Sequence, residues 1–363
     1  MSGFKMRMSV YIIIGAFFAA AHARAQGFDV DAAAASASPA DRVEWHGYYE
    51  FEYWDIQDKN ATFDAHKITI WLGAQLNDMA RIVSEVEYEH LPRLPGDKAG
   101  GSGEIKIDSA NLQLTPAEGY TGTFGAFYVP FGIEYYSYPG HKNKLVTRPK
   151  VMKSGGIIPG TWSDIGVDLS AALGPVGHLN AYYVNGDAYN GGISRDSSTG
   201  GNKGKTAGAR LMLDTLVDGF NVGGSYASGK WDVDDKYTST RWGAHLRADG
   251  DKISGVEIMP VLLAEYVTGK DEAASSAEGE DKEVSGYYVQ LSSRILPAVE
   301  LAARYGVYDN DKKKKDNEKS ETSVGLVWHM LPYVQAKAEY QWNGEQGAEK
   351  ENNAAVVQLV ADW

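Results

Sequence analysis

The sequence predicts an all-β fold, a transmembrane antiparallel β-barrel of about 16 strands with short periplasmic turns and long extracellular loops. Three observations predict it. Long segments alternate apolar and polar residues with a period of two. After residue 25 no apolar run is long enough for a spanning helix, which leaves strands as the only way to cross a bilayer. Connections alternate between very short and long along the whole chain, the pattern of a barrel whose turns and loops face opposite sides of a membrane.

Composition narrows the chemistry. The chain has 363 residues, 43% of them hydrophobic, and no cysteine. Disulfides, Cys-ligated zinc, iron–sulfur clusters and thiol catalysis are therefore excluded. Lys and Arg total 35 against 48 Asp and Glu, a formal net charge of -13, the wrong sign for displacing counterions from a nucleic acid. The 41 glycines and the 22 Tyr, 9 Trp and 10 Phe suit many strands, tight turns and rings at a polar–apolar boundary.

The elements follow in order. Lys5 and Arg7 precede an apolar run from Val10 to Ala21, and Ala23-Arg24-Ala25 places small residues where signal peptidase reads. Residues 1–25 are thus expected to be a signal peptide, too short in its apolar part for a membrane anchor. Residues 26–41, rich in Ala and Ser, read as a flexible periplasmic lead-in, and 42–363 as the barrel. Ile68, Ile70, Leu72, Ala74 and Leu76 alternate with Lys67, Thr69, Trp71, Gly73 and Gln75. The same period sets Val299, Leu301, Ala303, Tyr305 and Val307 against Glu300, Ala302, Arg304, Gly306 and Tyr308, and Val334 to Trp342 against Tyr333 to Gln341. Short turns are expected at 77–78, 116–120, 174–177, 217–219, 249–252, 297 and 332, and long loops at 57–62, 91–103, 132–160, 187–203, 230–236, 268–282, 309–319 and 344–352. In the last strand Ala355, Val357, Leu359 and Ala361 point outward and the chain stops on Trp363. That ending resembles the C-terminal signal of bacterial outer-membrane proteins, which implies the barrel-assembly machinery as a partner and Trp363 as the assembly signal.

Residues 104–169 carry a more specific likeness. Ile105 to Leu112, then Gly125-Ala126-Phe127-Tyr128-Val129-Pro130-Phe131-Gly132-Ile133-Glu134, then Asp164-Ile165-Gly166-Val167 together resemble the phosphate-selective (O/P type) porin family. Ser163 stands where that family often has an arginine. The resemblance implies a 16-stranded, usually trimeric barrel in the outer membrane of a Gram-negative bacterium, with lipid and lipopolysaccharide around it. It also implies a third loop folded inward to narrow the pore, here residues 132–160.

That loop holds Lys142, Lys144, Arg148, Lys150 and Lys153 beside His141, with Glu134 as the one nearby acid. Folded into a lumen, these cations would set a positive potential where a solute sheds water; on a loop top they would only be solvated. Arg210, Arg241, Arg247, Arg294 and Arg304 fall on later strands, and Glu50, Glu52, Glu85 and Glu87 on early ones. The expectation is a basic and an acidic wall across one lumen, with the bland alternative that both merely solvate a channel.

Enzyme signatures fail. Gly204-Lys205-Thr206 lacks the upstream glycine of a phosphate-binding loop, no Gly-x-Ser-x-Gly elbow occurs, and the eight histidines never take the spacing that puts two metal ligands on one helix face. The acidic loops at 232–235 and 309–311 lack the glycine and distal glutamate of an EF-hand. No cofactor and no metal site is expected. The leading function is a water-filled channel for passive diffusion of small hydrophilic solutes or ions. The loop lysines argue for anions or phosphate, the net charge and the glutamates for cations. The alternative is a plugged or structural barrel that binds a partner protein.

Overall fold

The computed structural model describes residues 42–363 apart from 91–102, 135–139, 153–156, 159–161, 187–203, 215–216, 233, 257, 275–279 and 349. The expected signal peptide, the lead-in and Lys153 lie outside the described residues.

Sixteen strands account for nearly all the regular structure: β1 (Val43–Ile56), β2 (Thr62–Asn77), β3 (Ala80–Glu89), β4 (Glu104–Ala117), β5 (Tyr120–Tyr128), β6 (Ser163–Ala172), β7 (Gly177–Val184) and β8 (Thr206–Asp214). β9 (Phe220–Lys230), β10 (Thr238–Asp249), β11 (Val261–Asp271), β12 (Lys282–Leu296), β13 (Val299–Asp309), β14 (Lys319–Leu331), β15 (Val334–Glu345) and β16 (Ala354–Asp362) follow. Each strand pairs antiparallel with its sequence neighbours, and β16 closes onto β1 in the register Glu52↔Gln358 and Tyr53↔Val357. Closure satisfies every ladder without leaving an edge, which is what a strand protein in hydrocarbon requires.

Side-chain alternation sorts the two faces. On β15 the outward positions are Val334, Ala336, Ala338, Tyr340 and Trp342, while Gln335, Lys337, Glu339, Gln341 and Asn343 are buried inside. On β13 Leu301 and Tyr305 are exposed outside and Arg304 is buried inside. The chain end is fixed by Trp363, whose backbone exchanges two hydrogen bonds with Gly47 (3.1 and 3.0 Å). Its ring lies 6.4 Å from that of Trp45 and covers the space a side chain at residue 47 would need.

One expected turn is different. The β10–β11 connection is not a tight turn at 249–252 but runs from residue 250 to 260 and contains a one-turn helix, Gly250–Ser254. Gly255, at φ 72°, ends that helix with its N–H on the Asp251 carbonyl, and Pro260, which has no N–H to give a ladder, holds the next strand off until Val261. The apolar residues read as strand, Ile253, Val256 and Ile258, are instead exposed at that end of the barrel.

Candidate functional site

The described residues of the connection between β5 and β6, from Val129 to Trp162, lie against the inner wall. Its first turn is set by Pro130-Phe131-Gly132. Gly132 takes φ 69°, and any side chain there would run into the Glu265 carboxylate. Its N–H donates to Ser225 Oγ (2.9 Å) and its carbonyl accepts from Arg210 Nε (2.7 Å). The Glu265 carboxylate accepts from the Ile133 N–H (3.4 Å) and from the Tyr288 hydroxyl (3.3 Å). Further on, Lys337 Nζ donates to the Gly140 carbonyl (2.6 Å) and Gln335 to the His141 carbonyl (2.9 Å).

The densest set of bonds surrounds Thr147. Glu339 of β15 accepts from the N–H groups of Val146 (2.6 Å) and Thr147 (2.8 Å) and from Thr147 Oγ1 (2.5 Å). Arg304 of β13 donates to the Thr147 carbonyl (2.7 Å) and Oγ1 (2.6 Å), and its Nε lies 3.3 Å from Glu321. Glu321 of β14 accepts the Lys150 N–H (2.9 Å) and a bond from Gln341 (3.0 Å). The loop carries no strand ladder here, so the wall's side chains take the place of one for its backbone.

An apolar segment finishes the attachment. Val151, Met152, Ile157 and Ile158 are buried with Phe131 and Trp162 against Tyr182, Val267, Val284 and Tyr288 of the wall. At about 1.5–3 kcal/mol for each fully buried aliphatic side chain, this cluster holds the loop as firmly as its polar bonds do. A lumen face that carries Val267 and Val284 among polar residues makes sense only because the loop covers it.

Beside the loop lies a cavity of about 650 Å³ lined by Glu134, His141, Lys142, Lys144 and Thr147 of the loop and by His178, Asp214, Asn221, Arg247, Gln290, Ser292 and Arg304 of the wall. Lys144 pairs with Glu300 of β13 (2.6 Å), which also meets Arg294 (3.3 Å) and His329 (2.8 Å). Lys142 makes no ion pair among the described residues. Arg148 pairs with the buried Glu134 at 3.3 Å. Burial pushes the Glu134 carboxyl above its ordinary value, against the pull of Arg148, and burial holds the His141 imidazole below its own.

The expected site residues thus separate by task. Lys142, Lys144, Arg247 and Arg304 reach the cavity, while Lys150 is bound through its backbone to Glu321. The arginines of β8–β13 do not form a wall of one sign. Arg241 makes a two-pronged pair with Asp271 (2.7 and 3.0 Å) and donates to the Ile157 carbonyl, Arg247 pairs with Asp249 (3.0 Å), Arg294 with Glu300 and Arg304 with Glu321. A buried guanidinium must be matched by a carboxylate or by carbonyls, so the acids lie among the arginines. On the opposite side Glu50, Glu52 and Glu87 are buried, Glu85 accepts from the Tyr128 hydroxyl (3.0 Å), and Lys67 sits 3.8 Å from Glu50 and 3.2 Å from Glu87. Sequence reasoning missed Glu265, Asp271, Glu321 and Glu339, although each stands at an inward position of its own alternating strand.

No family model matches the chain, and no curated protein does. Solved structures do. The anion-selective porin from Comamonas acidovorans superposes with a TM-score of 0.65 at 11% identity, covering 88% of this chain and 99% of that one. OprB of Pseudomonas putida gives 0.62 at 12%, covering 89% and 95%, and the outer membrane channel DcaP of Acinetobacter baumannii 0.61 at 13%, covering 88% and 97%. At such identity the likeness establishes the fold, a closed 16-stranded barrel shared with outer-membrane porins.

Proposed function

We propose that this chain is an outer-membrane porin, a passive water-filled channel for small hydrophilic solutes or ions, with the segment from Val129 to Trp162 as its constriction. The observation that carries the reading is the inward attachment of that loop beside a polar cavity, through Arg210, Arg304, Glu321, Lys337 and Glu339. A loop held against one side of the wall narrows a pore to a defined width, and the wall's side chains match its backbone at Gly132, Ile133, Gly140, His141, Val146, Thr147 and Lys150.

The preference follows from the charges that line the cavity. Lys142, Lys144, Arg247 and Arg304 face it, whereas the acids that pair with the last three, Glu300, Asp249 and Glu321, are not among the lining residues. Glu134 and Asp214 are the acids in the lining, and Glu134 is matched by Arg148. The lining thus favours anions, inorganic phosphate included, over cations. The rest of the reading places the barrel among outer-membrane lipid and lipopolysaccharide, inserted by the barrel-assembly machinery through Trp363, and assembled as a homotrimer. Support for the trimer comes from one similar structure, the in-vitro folded OmpT of Vibrio cholerae, which is described in a trimer form.

Vesicle swelling tests the reading. Liposomes carrying the folded chain should swell in isotonic small sugars and anionic solutes at rates that fall with solute size. Vesicles that stay osmotically tight would move the account to a plugged barrel.

A further inference from the structure

Two histidines meet on the inner wall away from the loop's main attachments. Asp64 and His66 are two residues apart on β2 and so share a face. The β2–β3 register, Lys67↔Glu89, brings His90 beside His66, and the His90 N–H donates to the His66 carbonyl at 2.7 Å. Their rings lie 5.2 Å apart. The Nδ1 atoms of both face one oxygen, Oδ2 of Asp64, at 3.4 Å from His66 and 2.7 Å from His90. Glu52 Oε2 stands 3.6 Å from His66 Nδ1, and Glu50 Oε2 stands 3.9 Å from His66 Nε2.

We propose that Asp64, His66 and His90, whose ligand atoms all lie within 4.8 Å of one another, bind one divalent first-row transition-metal ion of the zinc type, with solvent completing its shell. Four ligands at about 2.0–2.1 Å from a tetrahedral centre lie roughly 3.3 Å from each other. The His66–Asp64 separation of 3.4 Å is already close to that edge, and the 2.7 Å His90–Asp64 contact must open. Two imidazoles with a carboxylate select zinc, copper or nickel over calcium or magnesium, which take all-oxygen shells.

The surroundings are those of a prepared site. Glu52, 3.6 Å from His66 Nδ1, is buried and held by Trp54 Nε1 (2.5 Å) and Gln358 Nε2 (2.7 Å), so it is a fixed negative charge beside the site. Glu50 is equally buried, and its Oε1 has no hydrogen-bond partner among the described residues. Lys67, the residue after His66 along β2, pairs with Glu50 and Glu87. Glu50 also fills the space next to Gly140, so a bound ion would add positive charge on the wall that the loop leans against.

The test uses Zn²⁺ in calorimetry and Co²⁺ as a visible probe, on the full chain folded in detergent, with heat-dependent gel mobility as the proof of folding. The expected result is one equivalent of metal, a tetrahedral Co²⁺ spectrum, and affinity lowered roughly a hundredfold in His66→Asn with His90→Asn. Asp64→Asn, which keeps the shape of the side chain, should weaken binding while leaving the barrel intact. Equal affinity in the double variant and the parent, or no saturable heat in the parent, would overturn the proposal. The readout needs no current or flux, so it stands apart from the channel reading.

Discussion

Replacing Glu339 by alanine should free the middle of the inward loop without opening the barrel. Glu339 accepts three hydrogen bonds from Val146 and Thr147, at 2.6, 2.8 and 2.5 Å. Each bond to an ionised carboxylate contributes about 1.5–3 kcal/mol, and the three share one group, so their sum is an upper bound. Even two of the weakest amount to about 3 kcal/mol, which is roughly a hundredfold in the ratio of released to attached loop. The variant also leaves the loop's Val146 and Thr147 N–H groups without their acceptor. The barrel itself keeps all sixteen ladders, since Glu339 contributes only its side chain to the loop. The assay is trypsin digestion of the folded barrel in detergent, read at Lys142, Lys144 and Lys150, next to heat-dependent gel mobility. Cleavage should be at least tenfold faster in Glu339→Ala, and Thr147→Ala, which loses the hydroxyl but keeps both N–H donors, should fall between it and the parent. Identical digestion of parent and Glu339→Ala would refute the claim that this carboxylate holds the loop.

Other perturbations have equally definite signs. Lys142→Glu should move the reversal potential under a salt gradient toward cations, while the same exchange at Lys150, which is not among the residues lining the cavity, should move it less. Protonation of Glu134 removes the countercharge of Arg148. Because burial raises that carboxyl, anion preference should begin to rise at a pH above the ordinary carboxylate range and keep rising on acidification, and Glu134→Gln should flatten that part of the profile. Val357→Arg places a cation on the outer face near the middle of β16 and should destabilise folding in lipid by about 2–4 kcal/mol, measured by urea titration. Trp363→Ala should lower the yield of assembled barrel in cells, since it bares Gly47 and removes the contact with Trp45.

The barrel was legible because its signal is local. Leu301, Ala303 and Tyr305 facing lipid and Glu300, Ala302 and Arg304 facing inward repeat every second residue, and closure follows from the absence of any tolerable edge. The one misplaced turn, at 249–252, lay where apolar Ile253, Val256 and Ile258 imitate a strand but sit in a one-turn helix and its exit. The site was legible only in part. A positive loop between Pro-Phe-Gly and Asp-Ile-Gly-Val stands out in sequence, but its attachments are pairings between residues about 80 to 200 positions apart, such as Arg210 with Gly132 and Lys337 with Gly140. No periodicity encodes such partners. The histidine cluster escaped for a related reason: Asp64 and His66 are adjacent at strand spacing, and His90 joins them only through the β2–β3 register.

The most direct measurement is the current through single copies of the folded chain in a planar bilayer under a salt gradient. The account predicts discrete conductance steps with a reversal potential on the anion side, shifted toward cations by Lys142→Glu and enlarged in step size by Glu339→Ala. A silent membrane, with the barrel shown to be folded and inserted, would contradict it.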